Sequence, residues 1–314
     1  MDEVLTPDVS VVIPSYQRPE QTARAVRSAL RQSGVRAEII VVDDASPTPV
    51  SLADPLLSGG QVRILRLSEN RGAAGARNAG VEAARSEIIA FLDSDDFFLP
   101  DTLAQRLAFF RAQDSAVPFL CAAGVWRWSP PDSAILADPV GATDLATLAS
   151  GCWYFPGSTA LFSRKTWDLV GPLNTSLRRL EDLEWGIRLG LAGGRLLVAP
   201  QTAAVVTRSP PAGWQTVTKA SEAIAAAFGP TSARPLPPAA WKRLQAYLEL
   251  EKANAARGEG RYGSTAGSLL RSFAHVPRLQ LHQQRWWAQR PARQDELDRI
   301  AALSAGTSDQ AMGA

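Results

Sequence analysis

The sequence predicts an α/β protein: a doubly wound, mainly parallel sheet flanked by helices, followed by a helical C-terminal extension. Three observations carry this. Short β-branched apolar runs alternate with helix-period segments from Val9 to Gln113, the pattern of strand–helix–strand units. Two of those runs end in clustered carboxylates, Asp43-Asp44 and Asp93, Asp95, Asp96. Strand carboxyl ends are where such sheets bind ligands. Beyond about Arg208 the strand signals give way to long amphipathic segments.

The elements follow in order. "VSVVIP" (Val9–Pro14) reads as a buried strand, and Pro19 suits the first turn of the helix in "SYQRPEQTARAVRSALRQ", where Ala23, Val26 and Leu30 share a face. "AEIIVVDDAS" is a second strand that runs into acids, and "VRILRL" (Val62–Leu67) is a third. "NRGAAGARNAGVEAA" opens on glycine and becomes a helix. "EIIAFLD" is a fourth strand, and "LPDTLAQRLAFFRAQ" is a helix with Leu103, Leu107 and Phe110 on one face. The middle is less regular. "WRWSPPDSAILADPVGATDLATLASGCWYF" suggests turns and a short helix after Thr143, with a strand near Ser158–Phe162. "SRKTWDLVG" reads as a helix capped by Ser163 and stopped at Gly171-Pro172, and "LEDLEWGIRLGLAGG" as one ended by Gly193-Gly194. "RLLVAP" and "AAVVTR" read as two strands. "TSARPLPPAAW" is a linker or helix start. "AWKRLQAYLELEKANAA" and "YGSTAGSLLRSFAHVP" form a helical hairpin, and the last residues, 303–314, are expected to be a flexible tail.

Composition narrows the function classes. Of 314 residues, 46% are hydrophobic and 20% charged, enough for a packed core. A net charge of +2 argues against a general nucleic-acid binder. The charge is uneven, because 14 Lys/Arg against 8 Asp/Glu fall between Val206 and Ala314. The two cysteines, Cys121 and Cys152, form no CxxC and suggest neither a disulfide scaffold nor a zinc site. The acidic start "MDEVLTPD" and the lack of a long apolar run lead us to expect a cytoplasmic protein, with room for peripheral contact at the inner face of the membrane. Trp286-Trp287 with Arg285, Arg290 and Arg293 is the stretch that could touch anionic headgroups.

Three like charges on one loop need something positive between them. Carboxylate oxygens suit a hard divalent cation, Mn²⁺ or Mg²⁺, which can also bridge a diphosphate. Helix capping and solvation would also account for such acids.

"VSVVIPSYQRPEQTARAVRSALRQ", "EIIVVDDAS", "NRGAAGARNAGVEAARSEIIAFLDSDD" and "GSTALFSRKTWDLVGPLNTSLRRLEDLEW", in that order, resemble the family 2 glycosyltransferases over about residues 8–208. The resemblance implies a GT-A fold, a nucleotide-diphosphate sugar donor, most readily a UDP-sugar, a divalent metal, and inversion at the anomeric carbon. It implies a catalytic domain over 1–208, with a nucleotide-sugar-binding half to about 105 and an acceptor-side half over 106–208. The helical extension would then cover 209–302. Asp44 matches the acid that accepts a hydrogen bond from the base, with Pro14 and Tyr16 at the edge of that pocket and Arg77 near the nucleotide. Asp93 and Ser94 match the donor side of the DxD motif, with Asp95 as metal ligand and Asp93 as a second candidate. Asp96 would stand behind them or cap the next helix. Asp182 matches the catalytic base, placed in a first helical turn where the dipole favours its ionised form. Trp153, Tyr154, Glu181 and Trp185 fall on the acceptor side, the first two as a sugar-stacking platform. The acceptor would be a carbohydrate or a lipid-linked glycan.

Two departures stand out. Relatives place a metal-binding His after the last strand, where this chain reads "VVTRSPPAGW"; its only histidines are His275 and His282. The common "GGFDE" is "GPLNT" here (Gly171–Thr175). The missing His keeps open a second reading, a catalytically degenerate nucleotide-sugar-binding or scaffold protein. Arg208 could supply charge to the diphosphate instead.

Overall fold

The computed structural model describes residues 6–52, 60–210, 212–277 and 287–306. The first half is as expected. β1 (Val9–Ser15), β2 (Ala37–Asp43), β3 (Val62–Arg66) and β4 (Ile88–Phe91) pair in parallel in the order β4-β1-β2-β3. Every residue of β1 and β2 is buried, which accounts for their unbroken apolar runs. Each Val or Ile so buried contributes roughly 1.5–3 kcal/mol. α1 (Pro19–Leu30) and α2 (Gly72–Ala83) are the crossovers that parallel pairing requires. Gly80 lets α2 sit close on β1, since a Cβ there would fall 2.2 Å from Val12.

The second half mixes directions. β5 (Phe97–Phe98) and α3 (Thr102–Arg111) lead to β6 (Phe119–Ser129) and β7 (Ser133–Pro139), an antiparallel hairpin. The segment read as turns is therefore largely strand. Pro130-Pro131 marks only the hairpin turn between the two strands, whose last pair is Ser129 with Ser133. After α4 (Leu145–Leu148), residues Pro156–Thr159 form a single helical turn, α5, and the strand begins only at Leu161 (β8, Leu161–Ser163). Pro156 at the first position of that turn overrides the strand expected from Ser158. α6 (Arg164–Val170) is capped by Ser163, whose hydroxyl accepts from the Thr166 N–H. α7 (Glu181–Leu191) follows. "RLLVAP" and "AAVVTR" are one strand, β9 (Arg195–Thr207), parallel to β6 with a register shift at Gly124.

The extension is α8 (Trp214–Phe228), α9 (Pro238–Gly258), α10 (Tyr262–His275), β10 (Trp287–Pro291) and α11 (Gln294–Ala305). It is not purely helical, because β10 adds antiparallel to β7 at the edge of the sheet. α11 runs through Ala305, into the stretch expected to be a tail; residues 307–314 lie outside the described ones. α7 is packed on two sides. Trp185 and Leu189 join the main core beneath the sheet, while Leu183 and Ile187 join a second core with Ile224, Leu244 and Leu248 of α8 and α9. The extension thereby helps to fix the helix that carries Asp182.

Candidate active site

The carboxyl ends of β1, β2 and β4, the loop after β9, and the start of α7 open onto one cleft of about 1060 Å³. Pro14, Tyr16, Asp44, Arg77, Asp93, Ser94, Asp95, Glu181 and Asp182 all line it. Tyr16 is 42% exposed at the rim. The Asp44 carboxylate accepts the N–H groups of Arg71 (2.7 Å) and Gly72 (2.8 Å) at the start of α2. Each oxygen keeps a second lone pair. Its neighbour Asp43 faces inward and is spent on structure, accepting from the Ser46 and Val50 N–H groups and from Arg66.

Arg77 joins the two groups of acids. It is 3% exposed. It donates to Asp93 Oδ1 at 2.6 Å and to Glu181 Oε1 at 3.2 Å, and its Nη1 is 3.7 Å from Asp182 Oδ1. Burial alone would lower the pKa of this guanidinium. Asp93, Asp182 and Glu181 outweigh that and hold it above its ordinary value. Gly157 leaves room for this pair: a Cβ there would stand 2.2 Å from Asp93 Oδ2 and 2.9 Å from Arg77 Nη2, so the ion pair would have to shift.

The three aspartates of the strand-end loop have distinct partners. Carboxylate oxygens of Asp93, Asp95 and Asp96 lie within 4.8 Å of one another. Asp95 Oδ2 pairs with Arg18 Nη1 at 2.6 Å and accepts from the Ser209 hydroxyl at 3.3 Å. Asp96 is buried and accepts from the Ser158 hydroxyl and, at 2.8 Å, from the Thr207 N–H. It does not cap α3, whose N-cap position is Asp101. Burial, then the charges of Asp93 and Asp95, push its carboxyl well above the usual range. The oxygen-only donor set fits a hard cation such as Mg²⁺ or Mn²⁺. Asp95 Oδ1 and Asp93 Oδ2 are the oxygens with no hydrogen-bond partner among the described residues. Thr207, Arg208 and Ser209 occupy the place where a His was expected, and His275 on α10 is not part of the cleft lining. His282 lies outside the described residues.

Asp182 sits in the first turn of α7, after Leu180 in a left-handed conformation (φ 63°). The helix dipole should favour its ionised form, by about 0.3–1 kcal/mol at such a position. Burial is the larger effect. It combines with the neighbouring charge of Glu181 to push the Asp182 carboxyl up to about 7, against the opposing pull of Arg77. Asp182 lies in the first helical turn as expected, and burial outweighs the favourable dipole there.

The acceptor-side aromatics are also corrected. Trp153 and Tyr154 are 0% and 1% exposed, so they are core and offer no face to a sugar. The Trp153 indole donates to the Val140 carbonyl. Trp185 is buried as well, stacked on Trp167, with its indole N–H on the Gly171 carbonyl. Arg18, Arg178 and Arg179, with Tyr247, Glu251, Asn254 and Arg257 of α9, also line the cleft and carry no motif that marks them in the sequence. Arg18 was within reach of sequence reasoning, since it lies three residues past the carboxyl end of β1. The α9 residues carry no motif, and only packing brings them there. Of the proposed membrane-facing stretch, Arg285 and Trp286 lie outside the described residues. Arg290 pairs with Glu296, and Arg293 with Asp295, so those charges are already matched.

A cleft at the strand ends of a mixed α/β sheet is where such sheets bind their ligands, and here it gathers clustered acids joined by a buried arginine. The chain belongs to glycosyl transferase family 2, whose sequence profile matches residues 10–168, just over half of it. The succinoglycan biosynthesis protein ExoO of Rhizobium meliloti (strain 1021) is 44% identical over 101 residues, 32% of this chain and 29% of that one. The putative teichuronic acid biosynthesis glycosyltransferase TuaG of Bacillus subtilis (strain 168) is 38% identical over 115 residues, 36% of this chain and 46% of that one. WfgD of Escherichia coli, a UDP-Glc:alpha-D-GlcNAc-diphosphoundecaprenol beta-1,3-glucosyltransferase, is 32% identical over 108 residues, 34% and 42% of the two chains. Each match spans less than half of the relative. Among solved structures, S. aureus TarS 1-349 in complex with UDP superposes with a TM-score of 0.56 at 19% identity, covering 86% of this chain and 81% of that one. That likeness speaks to the fold.

Proposed function

We propose that the protein transfers a sugar from a nucleoside-diphosphate sugar, a UDP-sugar first, to a hydroxyl of a lipid-linked or carbohydrate acceptor, with inversion, in the synthesis of a cell-surface glycan. The observation that carries this is the arrangement around Arg77: one buried cation joins Asp93 of the strand-end cluster to Glu181 and Asp182 of α7 in the same cleft. The pathways of ExoO and TuaG and the activity of WfgD support the substrate class. TarS structures with UDP and UDP-GlcNAc support the donor.

In this reading Asp44, Pro14 and Tyr16 hold the base, and Asp93 with Ser94 faces the ribose. Asp182 accepts the proton of the acceptor hydroxyl as its oxygen bonds to the anomeric carbon. The bond from that carbon to the diphosphate breaks on the opposite face, and its electron pair leaves with the nucleoside diphosphate. A carboxyl titrating near 7 is poised for this. Mn²⁺ or Mg²⁺ held by Asp95 and Asp93 would supply positive charge to the departing diphosphate.

The test is a panel of UDP-, GDP- and dTDP-sugars, assayed for nucleoside diphosphate release with an acceptor extract and either metal. Asp182→Asn is expected to bind the donor normally and to lose roughly 10²–10⁴-fold in turnover. Full turnover in that variant would remove Asp182 from the role of base.

A further inference from the structure

α10 is built inside out. The face it turns to α9 is made of serines. Ser268 and Ser272 are buried, and the Ser272 hydroxyl donates to the Ala246 carbonyl at 2.8 Å. Ser268 accepts from Arg271, which is paired in turn with Glu249 of α9. Small side chains on the contact face let the two helices approach closely. The large apolar residues point the other way: Tyr262 is 75% exposed, Leu270 71% and Phe273 46%. Spaced at 262, 270 and 273, they fall on one stripe of the helix. An apolar stripe left outside while serines go inside marks a surface meant for something else.

Two further observations say what covers it. The stripe runs into the cleft, because Thr265 and Leu269, on the adjoining face of the same helix, line it. The charge around the stripe is also net positive, with Lys252 and Arg271 sharing the one carboxylate of Glu249. α10 carries no Asp or Glu in its 14 residues. Residues 238–275 hold six Lys/Arg against three Glu. Arg257 and Arg261 are exposed at the turn that opens α10. Arg261 leans on the Trp214 ring and lies 3.8 Å from Glu259, so its charge is only loosely matched.

We infer that the exposed face of α10 docks on an anionic lipid bilayer. Tyr262, Leu270 and Phe273 enter the headgroup boundary, and the basic α9–α10 turn faces the anionic headgroups. The cleft mouth beside Leu269 then opens at the membrane surface, where a lipid-linked acceptor would present its hydroxyl. The purpose of this surface rests on the glycosyltransferase reading; its existence does not.

The test is co-sedimentation of the whole protein with phosphatidylglycerol–phosphatidylcholine vesicles and with pure phosphatidylcholine vesicles, beside calorimetry with UDP. The wild type should partition onto the anionic vesicles, more weakly onto the neutral ones, and less as salt rises. Leu270→Ser with Phe273→Ser removes only exposed side chains, so its circular dichroism and UDP binding should be unchanged while vesicle binding falls on the order of tenfold. Undiminished vesicle binding by that variant, or none by the wild type, would overturn the inference. So would a wild-type dimer that the double variant converts to monomer, which would assign the face to a second copy of the chain. Failed UDP binding with intact vesicle binding would instead count against the donor reading alone.

Discussion

Asp93, Asp95 and Asp96 at one end of Arg77, and Glu181 and Asp182 at the other, are both clusters of like charge, and the chain treats them differently. The strand-end group is spread over several partners: Arg77 on Asp93, Arg18 on Asp95, Ser158 and Thr207 on Asp96. Its two outer members face the cleft, and the buried one takes the cost of crowding as a raised pKa. The α7 pair has one direct cation among the described residues, Arg77, and Glu181 lies closer to it than Asp182 does. Asp182 is left with the weaker contact and the greater penalty, and so titrates near neutrality. Identical chemistry thus gives acceptors for fixed positive charge on one side and a proton acceptor on the other, decided by burial and by who is nearest the arginine.

The largest effect should come from removing the shared cation. Arg77→Met leaves three carboxylates without it and is expected to cost about 3–5 kcal/mol of stability at pH 7. The loss should shrink at pH 5.5, where Asp182 takes up a proton. Denaturant unfolding at the two pH values reads this, and an equal loss at both would deny that Asp182 feels Arg77. Next comes Asp182 itself. Its carboxyl titrates at 3.8 ordinarily and about 7 in the fold, so the native state holds the proton more tightly across that window. Its contribution to stability is therefore greatest below 3.8 and is lost as pH rises through about 7. Asp182→Asn should stabilise the protein at pH 8 relative to wild type, on the scale of about 1.4 kcal/mol per pKa unit, and have little effect near pH 4. Thermal unfolding across pH would show the curves crossing the wrong way if the carboxyl were ordinary. A smaller contrast separates the members of the loop. Asp95→Ala is expected to weaken metal-dependent binding of the donor by about tenfold, a loss near 1.4 kcal/mol. Asp96→Asn, replacing a carboxyl whose pKa is already raised, should change it by less than about threefold. Titration calorimetry with and without Mn²⁺ would reverse the picture if Asp96 proved the more sensitive.

Much of this was legible in the sequence, and the reason differs by region. β1, β2 and β4 announce themselves because strands buried in the sheet interior must be continuously apolar, while β3 at the edge alternates with arginine. β6 and β7 were hidden because Cys121 to Gly124 pack by smallness rather than by β-branching. Ser158 was misplaced because one proline turned the chain into a helical turn before β8. The acids of the site were readable from their motifs. Their electrostatic state was not, since it depends on Arg18, 77 residues from Asp95, and on Arg77, 105 residues from Asp182. Trp153 and Tyr154 show the converse limit: an aromatic pair beside a glycine looks the same in sequence whether it stacks on a sugar or fills the core, and here burial decides for the core.

The most direct test of Asp182 as a base held near neutrality is the pH dependence of kcat/KM from pH 5 to 9 for the wild type and Asp182→Asn. The wild-type profile should rise with an apparent pKa near 7, and the residual rate of the variant should lose that limb. A limb that persists in Asp182→Asn, or a wild-type rate already level at pH 5.5, would contradict the account.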